Sequence, residues 1–374
     1  MRLNGLAIRH FRNLGIQDLE FPSEGVALVG DNAQGKSNLL EAIYYLETFR
    51  SFRGARDEQL VGFGEDVFRV AASTEANGSE TGRKTDVAAA FERRGKRKKV
   101  SVDGKEEGRL GDALGRLATV IFSPADVELV NAGPKERRRF LDIVLSLNEP
   151  GYLEALQDYR RTLARRNATL RDGLPTAVVS AWDQGLSRIG ARVIQARRAW
   201  VEDSSGPFGT FYGRVATEAR ARMSYRTNVP LEDALSVEDV ETAFRDALEG
   251  SREKDRRMGT TLVGPHRDDL RLQLESESDR LDLRDYGSGG QRRTAALALR
   301  LVEARTIRER RREAPVVLLD DVFAELDEGR SERVLELMES DVGQVVLTAP
   351  KDADVRIRRD TLARWRISAG RVSA

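Results

Sequence analysis

Eight residues, Gly30-Asp31-Asn32-Ala33-Gln34-Gly35-Lys36-Ser37, constrain this chain more than any other stretch. They satisfy the pattern G-x-x-x-x-G-K-[ST], and their flanks supply the setting that the pattern needs. An apolar run, Val26-Ala27-Leu28-Val29, enters the loop as a buried strand. Residues from Ser37 onward leave it as a helix, with Leu39, Leu40, Ile43 and Leu46 on one face. Glycines let backbone N–H groups curl around an anion, and a helix N-terminus adds partial positive charge. In such a loop Lys36 reaches the β- and γ-phosphates and Ser37 ligates Mg²⁺. The bland alternative is an ordinary Gly-rich turn, which leaves the strand–loop–helix setting without a reason.

The chain has 374 residues, enough for two or three domains or for one large domain with an insertion. Charged residues make up 33%, yet the formal net charge is only +1, so any basic binding surface must be a local patch. Lys contributes nine of the 62 Lys and Arg residues. The Arg excess suits bidentate phosphate contacts, although a GC-rich genome produces the same bias. Cysteine is absent, which excludes disulfides, thiolate metal sites and Cys nucleophiles. The two histidines, His10 and His266, cannot alone build a His-rich metal site. No apolar run approaches a membrane span and no signal-peptide pattern opens the chain, so a soluble cytoplasmic protein is expected.

Short apolar stretches before residue 30 read as strands feeding the loop. Phe11-Arg12-Asn13 falls at the first turn, where Arg12 either caps a strand end or approaches the nucleotide. Asp86 to Glu92 and Lys98 to Asp103 flank Arg93-Arg94-Gly95-Lys96-Arg97, a β-hairpin with a basic tip. That tip contacts nucleic acid, through Lys96, Arg97 and Lys98, or is a solvated edge; the residues favour neither. From Pro134 the texture becomes helical, with segments near 135–147, 153–170, 182–200 and 231–257 and loops at Asp172 to Pro175 and at Gly206-Pro207. Arg137, Arg138 and Arg139 are further candidates for DNA contact, or else internal ion-pair partners holding two lobes together.

Val316-Val317-Leu318-Leu319 followed by Asp320-Asp321 matches a Walker B strand. Asp320 would hold Mg²⁺ through water, and Asp321 sits where a carboxylate orients or deprotonates the attacking water. Tyr286 to Arg293 opens a long helix with Ser288-Gly289-Gly290-Gln291, a second anion-binding N-terminus. Two such sites on one chain are economical in a two-fold homodimer, in which the loop of one subunit and the serine–glycine turn of the other clamp one ATP. Binding then drives closure, and hydrolysis releases it.

Taken together, GDNAQGKS, YGSGGQRR and VVLLDDVFAELD resemble the ABC-type ATPase head, and Ala324 to Asp327 matches its D-loop. FRNL at the first turn, FSPADVELV with GPKERRRFLD at 122–142, and GPHRDD at 264–269 narrow the resemblance to the RecF family of bacterial recombinational-repair proteins. The resemblance covers residues 11 to about 330. It implies an α/β fold: an ABC-type P-loop head, a mixed sheet with flanking helices, plus an inserted helical lobe, similar to SMC heads. The expected division is 1–124 with 258–374 for the ATPase lobe, carrying the P-loop at 30–37, signature at 286–293, Walker B at 316–321 and D-loop at 324–327. The helical lobe is expected at 125–257. The resemblance further implies a DNA-binding ATPase acting with RecO and RecR to place RecA on gapped DNA. An SMC-like DNA clamp outside that pathway is the alternative.

The sequence departs from the transporter branch of that superfamily. Ser123-Pro124-Ala125-Asp126 stands where a Gln loop belongs, and Ala349-Pro350 where a switch histidine belongs. Asp321 replaces the usual Glu, so slow hydrolysis is expected. A transporter subunit would also need a much shorter distance from loop to signature. An SMC structural protein would need long heptad runs, and a P-loop kinase leaves Ser288 to Gln291 without a role.

Overall fold

The computed structural model describes residues 1–76, 84–216, 220–231, 236–275, 279–325, 327–339, 343–355 and 362–373. They form two compact units, Met1–Asp126 with Leu299–Ala374, and Val127–Ala298. The chain opens with β1 (Arg2–Phe11), β2 (Leu14–Glu20), β3 (Gly25–Val29) and α1 (Lys36–Thr48). Then come β4 (Val67–Glu75), β5 (Lys84–Glu92), β6 (Arg97–Val102), β7 (Lys105–Glu106), α2 (Leu110–Ala113) and β8 (Thr119–Phe122). The second unit holds α3 (Glu128–Asn131), α4 (Pro134–Asn148), α5 (Tyr152–Arg171), α6 (Thr176–Ala216), β9 (Arg220–Arg226), α7 (Val237–Met258), β10 (Asp269–Glu275), β11 (Arg280–Asp282) and α8 (Leu283–Tyr286). Helix α9 (Gly289–Arg311) leads back to the first unit, with β12 (Val316–Leu319), α10 (Glu328–Glu339), β13 (Val345–Ala349), β14 (Ala363–Ser368) and β15 (Arg371–Ser373).

The first unit has two sheets with one helix between them. An antiparallel sheet runs β2-β1-β4-β5-β6-β7. A second sheet runs β15-β14-β3-β13-β12-β8, all parallel except β15. Strands β3, β8, β12 and β13 are buried along their whole length, which is why they read as unbroken apolar runs instead of alternating. Helix α1 packs against β1, β4 and β5 of one sheet and β8 and β13 of the other. Every residue from Leu39 to Thr48 is therefore buried, including two glutamates. Tyr45 meets Phe68 edge-on at 5.4 Å and Phe68 meets Phe11 at 5.1 Å, so an aromatic cluster fills the space beneath the antiparallel sheet.

The second unit is not purely helical. Strand β9 pairs along its full length with β10, and β10 with β11. This pairing corrects the expected division: residues 258–298, with the whole signature, belong to the second unit, because β10 completes a sheet that β9 begins. The first boundary falls at 126/127 instead of 124/125. Gly206-Pro207 is a second correction. It lies inside α6, not in a loop. Phe208 and Tyr212 are fully buried, and Ser205 Oγ donates to Met223 O of β9 at 2.8 Å. At Gly209 a Cβ would stand 3.0 Å from Ala221 O. Packing against β9 thus carries the helix through a proline that local propensity counts as a break. Among the described residues no helix is long and apolar enough to cross a membrane.

Candidate nucleotide site

The loop between β3 and α1 is shaped by its surroundings. At Gly30 a Cβ would lie 2.5 Å from Ile367 O of β14, and at Gly35 (φ +113°) 2.8 Å from Asn13 Oδ1. Both positions need glycine. Asn13 donates to Gln34 O at 3.2 Å, and the β14–β15 turn donates to Gln34 from Gly370 N at 2.9 Å and Ala369 N at 2.6 Å. Asp31, Asn32 and Ala33 remain exposed at the mouth, with Ala33 in the left-handed region at φ 66°. Lys36 is buried, and its ammonium donates to Gly30 O at 2.6 Å and Asp31 O at 3.2 Å. The cation is thus held beneath an open, glycine-shaped cradle.

Parallel pairing brings the acids to the loop. Asp320 follows β12, two strands from β3, and its carboxylate accepts a hydrogen bond from Ser37 Oγ at 2.6 Å. Burial pushes the Asp320 carboxyl upward, the Ser37 hydrogen bond opposes this, and the neighbouring Asp321 adds to the rise. Asp321 has φ 48°, a left-handed conformation that is rare for a non-glycine residue. Thr348, on β13 between β3 and β12, closes the arrangement. Its hydroxyl accepts from Asp321 N at 3.0 Å and lies 3.2 Å from Asp320 Oδ1 and 3.3 Å from Asp321 Oδ1. The sequence reading missed Thr348. Its signal was its place one residue before the position searched for a histidine.

The residues fit ATP with Mg²⁺. Two hard oxygen donors, Ser37 Oγ and an Asp320 carboxylate oxygen, stand together at the foot of the cradle, and Mg²⁺ sites of this kind use one or two protein oxygens plus substrate phosphates. Among the described residues there is no cluster of three His, Asp or Glu side chains that would make an all-protein cage. Asp126, in the segment lacking a Gln, is occupied by Arg300 at 2.6 Å and by Ser123 N at 2.7 Å. Arg12, read as a strand cap or a nucleotide contact, is engaged within the first unit. It forms a two-pronged pair with the buried Glu41 of α1, at 2.9 and 3.0 Å.

In the second unit, Ser288 and Gln291 form a reciprocal cap at the start of α9. Ser288 N donates to Gln291 Oε1 at 2.8 Å, and Gln291 N to Ser288 Oγ at 3.2 Å. Ser288 and Gly289 are exposed and Gly290 is half-buried, so the helix start faces solvent. Of the D-loop, Asp327 accepts from Arg330 N at 2.9 Å; Leu326 and the side chains of 324 and 325 lie outside the described residues.

The basic candidates divide. Lys96 and Arg97 are exposed on the hairpin between β5 and β6. Lys98 turns inward: it pairs with Asp57 at 2.7 Å, donates to Phe49 O at 2.7 Å and lies 5.1 Å over the Tyr45 ring. Arg137 is also a correction, because it is buried and its guanidinium is taken by Asp269 at 2.8 and 3.0 Å. Arg138 donates to Asp268 O and Arg139 pairs with Glu136. These contacts lie within the second unit, so Arg137 joins α4 to β10 and not one lobe to the other. The 134–142 and 264–269 runs therefore form one buried structure, in which Arg197 also binds Asp142 and Pro265 O.

Residues 2–367 match the RecF/RecN/SMC N-terminal domain. The DNA replication and repair protein RecF of Synechococcus sp. (strain JA-2-3B'a(2-13)) is 38% identical over 93% of this chain and 91% of its own length. That of Thermoanaerobacter sp. (strain X514) is 36% identical over 94% and 95%. A structure of the recombination mediator protein RecF with ATP, in the RecFOR pathway, superposes at a TM-score of 0.90, with 32% identity, over 100% of this chain and 97% of that one. An SMC head bound to the C-winged helix domain of ScpA reaches 0.57 at 16% identity over 100% and 96%, a likeness of fold alone. An ABC-type head that aligns over nearly its whole length with such relatives makes this chain a member of the RecF family.

Proposed function

We propose that the chain is an ATP-gated DNA-binding protein of recombinational repair and replication. Its two-fold dimer closes on single-stranded and gapped or junction DNA when ATP binds, and opens on slow hydrolysis. The observation that carries this reading is the meeting of Ser37 with Asp320 at 2.6 Å, with Thr348 bridging both acids behind them. A glycine-shaped loop, a buried lysine and an acid pair converge there, and folding alone requires none of that convergence.

ATP with Mg²⁺, when bound, supplies the phosphoanhydride whose hydrolysis resets the grip. Lys36 exchanges its loop carbonyls for phosphate oxygens. Ser37 and Asp320 would hold the metal. Asp321 orients a water and takes its proton, and its short side chain makes that step slow and open to stimulation by DNA. Ser288, Gly289, Gly290 and Gln291 act from the partner subunit as a second anion-binding helix start, and Asp327 is the D-loop candidate. Lys96, Arg97, Arg138 and Arg139 are the remaining candidates for DNA backbone contact. By family likeness the complex acts with RecO and RecR to load RecA, within the SOS response.

Sedimentation velocity with ATP, Mg²⁺ and gapped duplex tests this reading. Wild-type protein should pair, Lys36→Met should lose nucleotide binding, and Ser288→Arg should bind ATP but stay monomeric. A monomer at saturating ATP and DNA, with Asp321→Asn to trap the bound state, would overturn it.

A further inference from the structure

Phe63 is fully exposed, and the fold draws nothing from its ring. The backbone that carries it is nevertheless held closely. Gly62 N donates to His10 O at 2.7 Å, and Glu65 N donates back to Gly62 O at 3.1 Å. The second bond closes a four-residue turn with Phe63 at its second position, and the first ties that turn to β1. Gly64, at the third, has φ +82°, the left-handed conformation that a type II turn asks of glycine. Val61, just before the turn, is buried and bridges to Phe11. At Gly62 a Cβ would stand 3.1 Å from His10 O, so the turn lies against the end of β1. An aromatic ring is thus displayed to solvent from a rigid support, which lowers the ordering cost of any contact it makes.

That support is tied to the basic hairpin tip. Arg93 N donates to Asp66 O at 2.8 Å, and the Arg93 guanidinium reaches Val61 O at 3.3 Å. Arg94 pairs with Asp66 at 3.2 Å and Lys96 with Glu58 at 3.0 Å, and Arg93, Arg94, Lys96 and Arg97 are all exposed. Surface pairs of this kind are weak, and a phosphate readily displaces the carboxylate. A rigid exposed ring beside several exposed cations has the chemistry of a single-strand platform: the ring stacks on a base, and the cations take the adjoining phosphates. Within a duplex each base is already stacked on its neighbours, so the ring distinguishes unpaired from paired DNA.

We propose that Phe63 stacks on an unpaired base of single-stranded DNA while Arg93, Arg94 and Arg97 hold the flanking phosphates. The proposal rests on the DNA-binding reading above and locates where that reading senses a single strand.

Fluorescence anisotropy, in the presence of ATP, compares a labelled single strand of mixed sequence with a blunt duplex of equal length. Phe63→Ala should weaken single-strand binding about 5- to 150-fold, the range of one lost stack, and leave duplex binding within about twofold. Phe63→Trp should restore the affinity and add a fluorescence signal that single strands quench. Equal loss on both DNAs, or no loss on the single strand, overturns the proposal. Loss of ATP-dependent pairing in Phe63→Ala with DNA affinity intact would give the ring to a protein contact and also overturn it. Wild-type protein that binds neither DNA overturns the underlying reading. Wild-type binding with no effect of Phe63→Ala overturns this inference alone.

Discussion

The hydroxyl of Thr348 accepts the backbone N–H of Asp321 at 3.0 Å, so a residue on β13 holds a left-handed aspartate at the end of β12. That conformation costs on the order of 1–2 kcal/mol for a side-chain-bearing residue and persists only where something restrains it. Thr348→Val removes the acceptor and leaves the Asp321 N–H without its partner, at a cost of about 1–3 kcal/mol. ATP turnover should fall about tenfold or more, while ATP affinity, set by Lys36 and the glycine loop, changes little. Thr348→Ser should retain turnover. Steady-state hydrolysis and a fluorescent-nucleotide titration separate the two effects.

Glu41 is buried in α1 and accepts from both prongs of Arg12 and from the Ser51 hydroxyl, with Arg53 at 3.8 Å. Glu41→Ala strands Arg12 and should destabilise the first unit by about 3 kcal/mol. Replacing both members by apolar residues, Arg12→Met with Glu41→Leu, should recover part of that loss. Urea midpoints for the single and double variants give the answer, and a double variant no better than the single would refute it.

Lys98 and Arg97 are adjacent on β6 but predict opposite phenotypes. Burial draws the Lys98 ammonium downward while Asp57 holds it charged. Lys98→Glu sets a second acid against Asp57 beneath the hairpin and should lower the melting temperature. Arg97→Glu should leave melting unchanged, weaken DNA binding and reduce the slope of log affinity against log salt by about one. Thermal unfolding and a salt titration on both variants check the pair.

Glu47 carries a pH dependence. Burial raises its carboxyl from 4.5 to about 7, opposed by Arg311 and by hydrogen bonds from Thr119. A carboxyl raised in the folded state contributes stability that is fully present below its unfolded value and is lost as pH climbs through the folded one. The loss therefore accumulates between 4.5 and about 7. Glu47→Gln, neutral throughout, should match wild type near the acid end of that window and exceed it above the window, by at most about 3 kcal/mol. Unfolding measured across this pH range would show parallel curves if Glu47 does not titrate there.

Much of this molecule was legible along the chain because local rules write it there. A buried strand must be apolar, a turn must carry its glycine and a helix start wants its cap. Those rules mark Gly30 to Ser37, the acid-ended run at Val316 to Asp321, the Ser288 cap and the hairpin to within a few residues. What they omit is which residue arrives from elsewhere. Thr348 reaches both acids only because β13 lies between β3 and β12. Lys98 is drawn under the hairpin by Asp57 and Tyr45, and Arg137 is taken by an aspartate on β10. Pro207 stays helical because β9 packs beneath it, and the same strand, by pairing with β10, moves a domain boundary. Periodicity states which face of an element is covered; only tertiary packing chooses the partner that covers it, and so decides which charges stay free to meet a ligand.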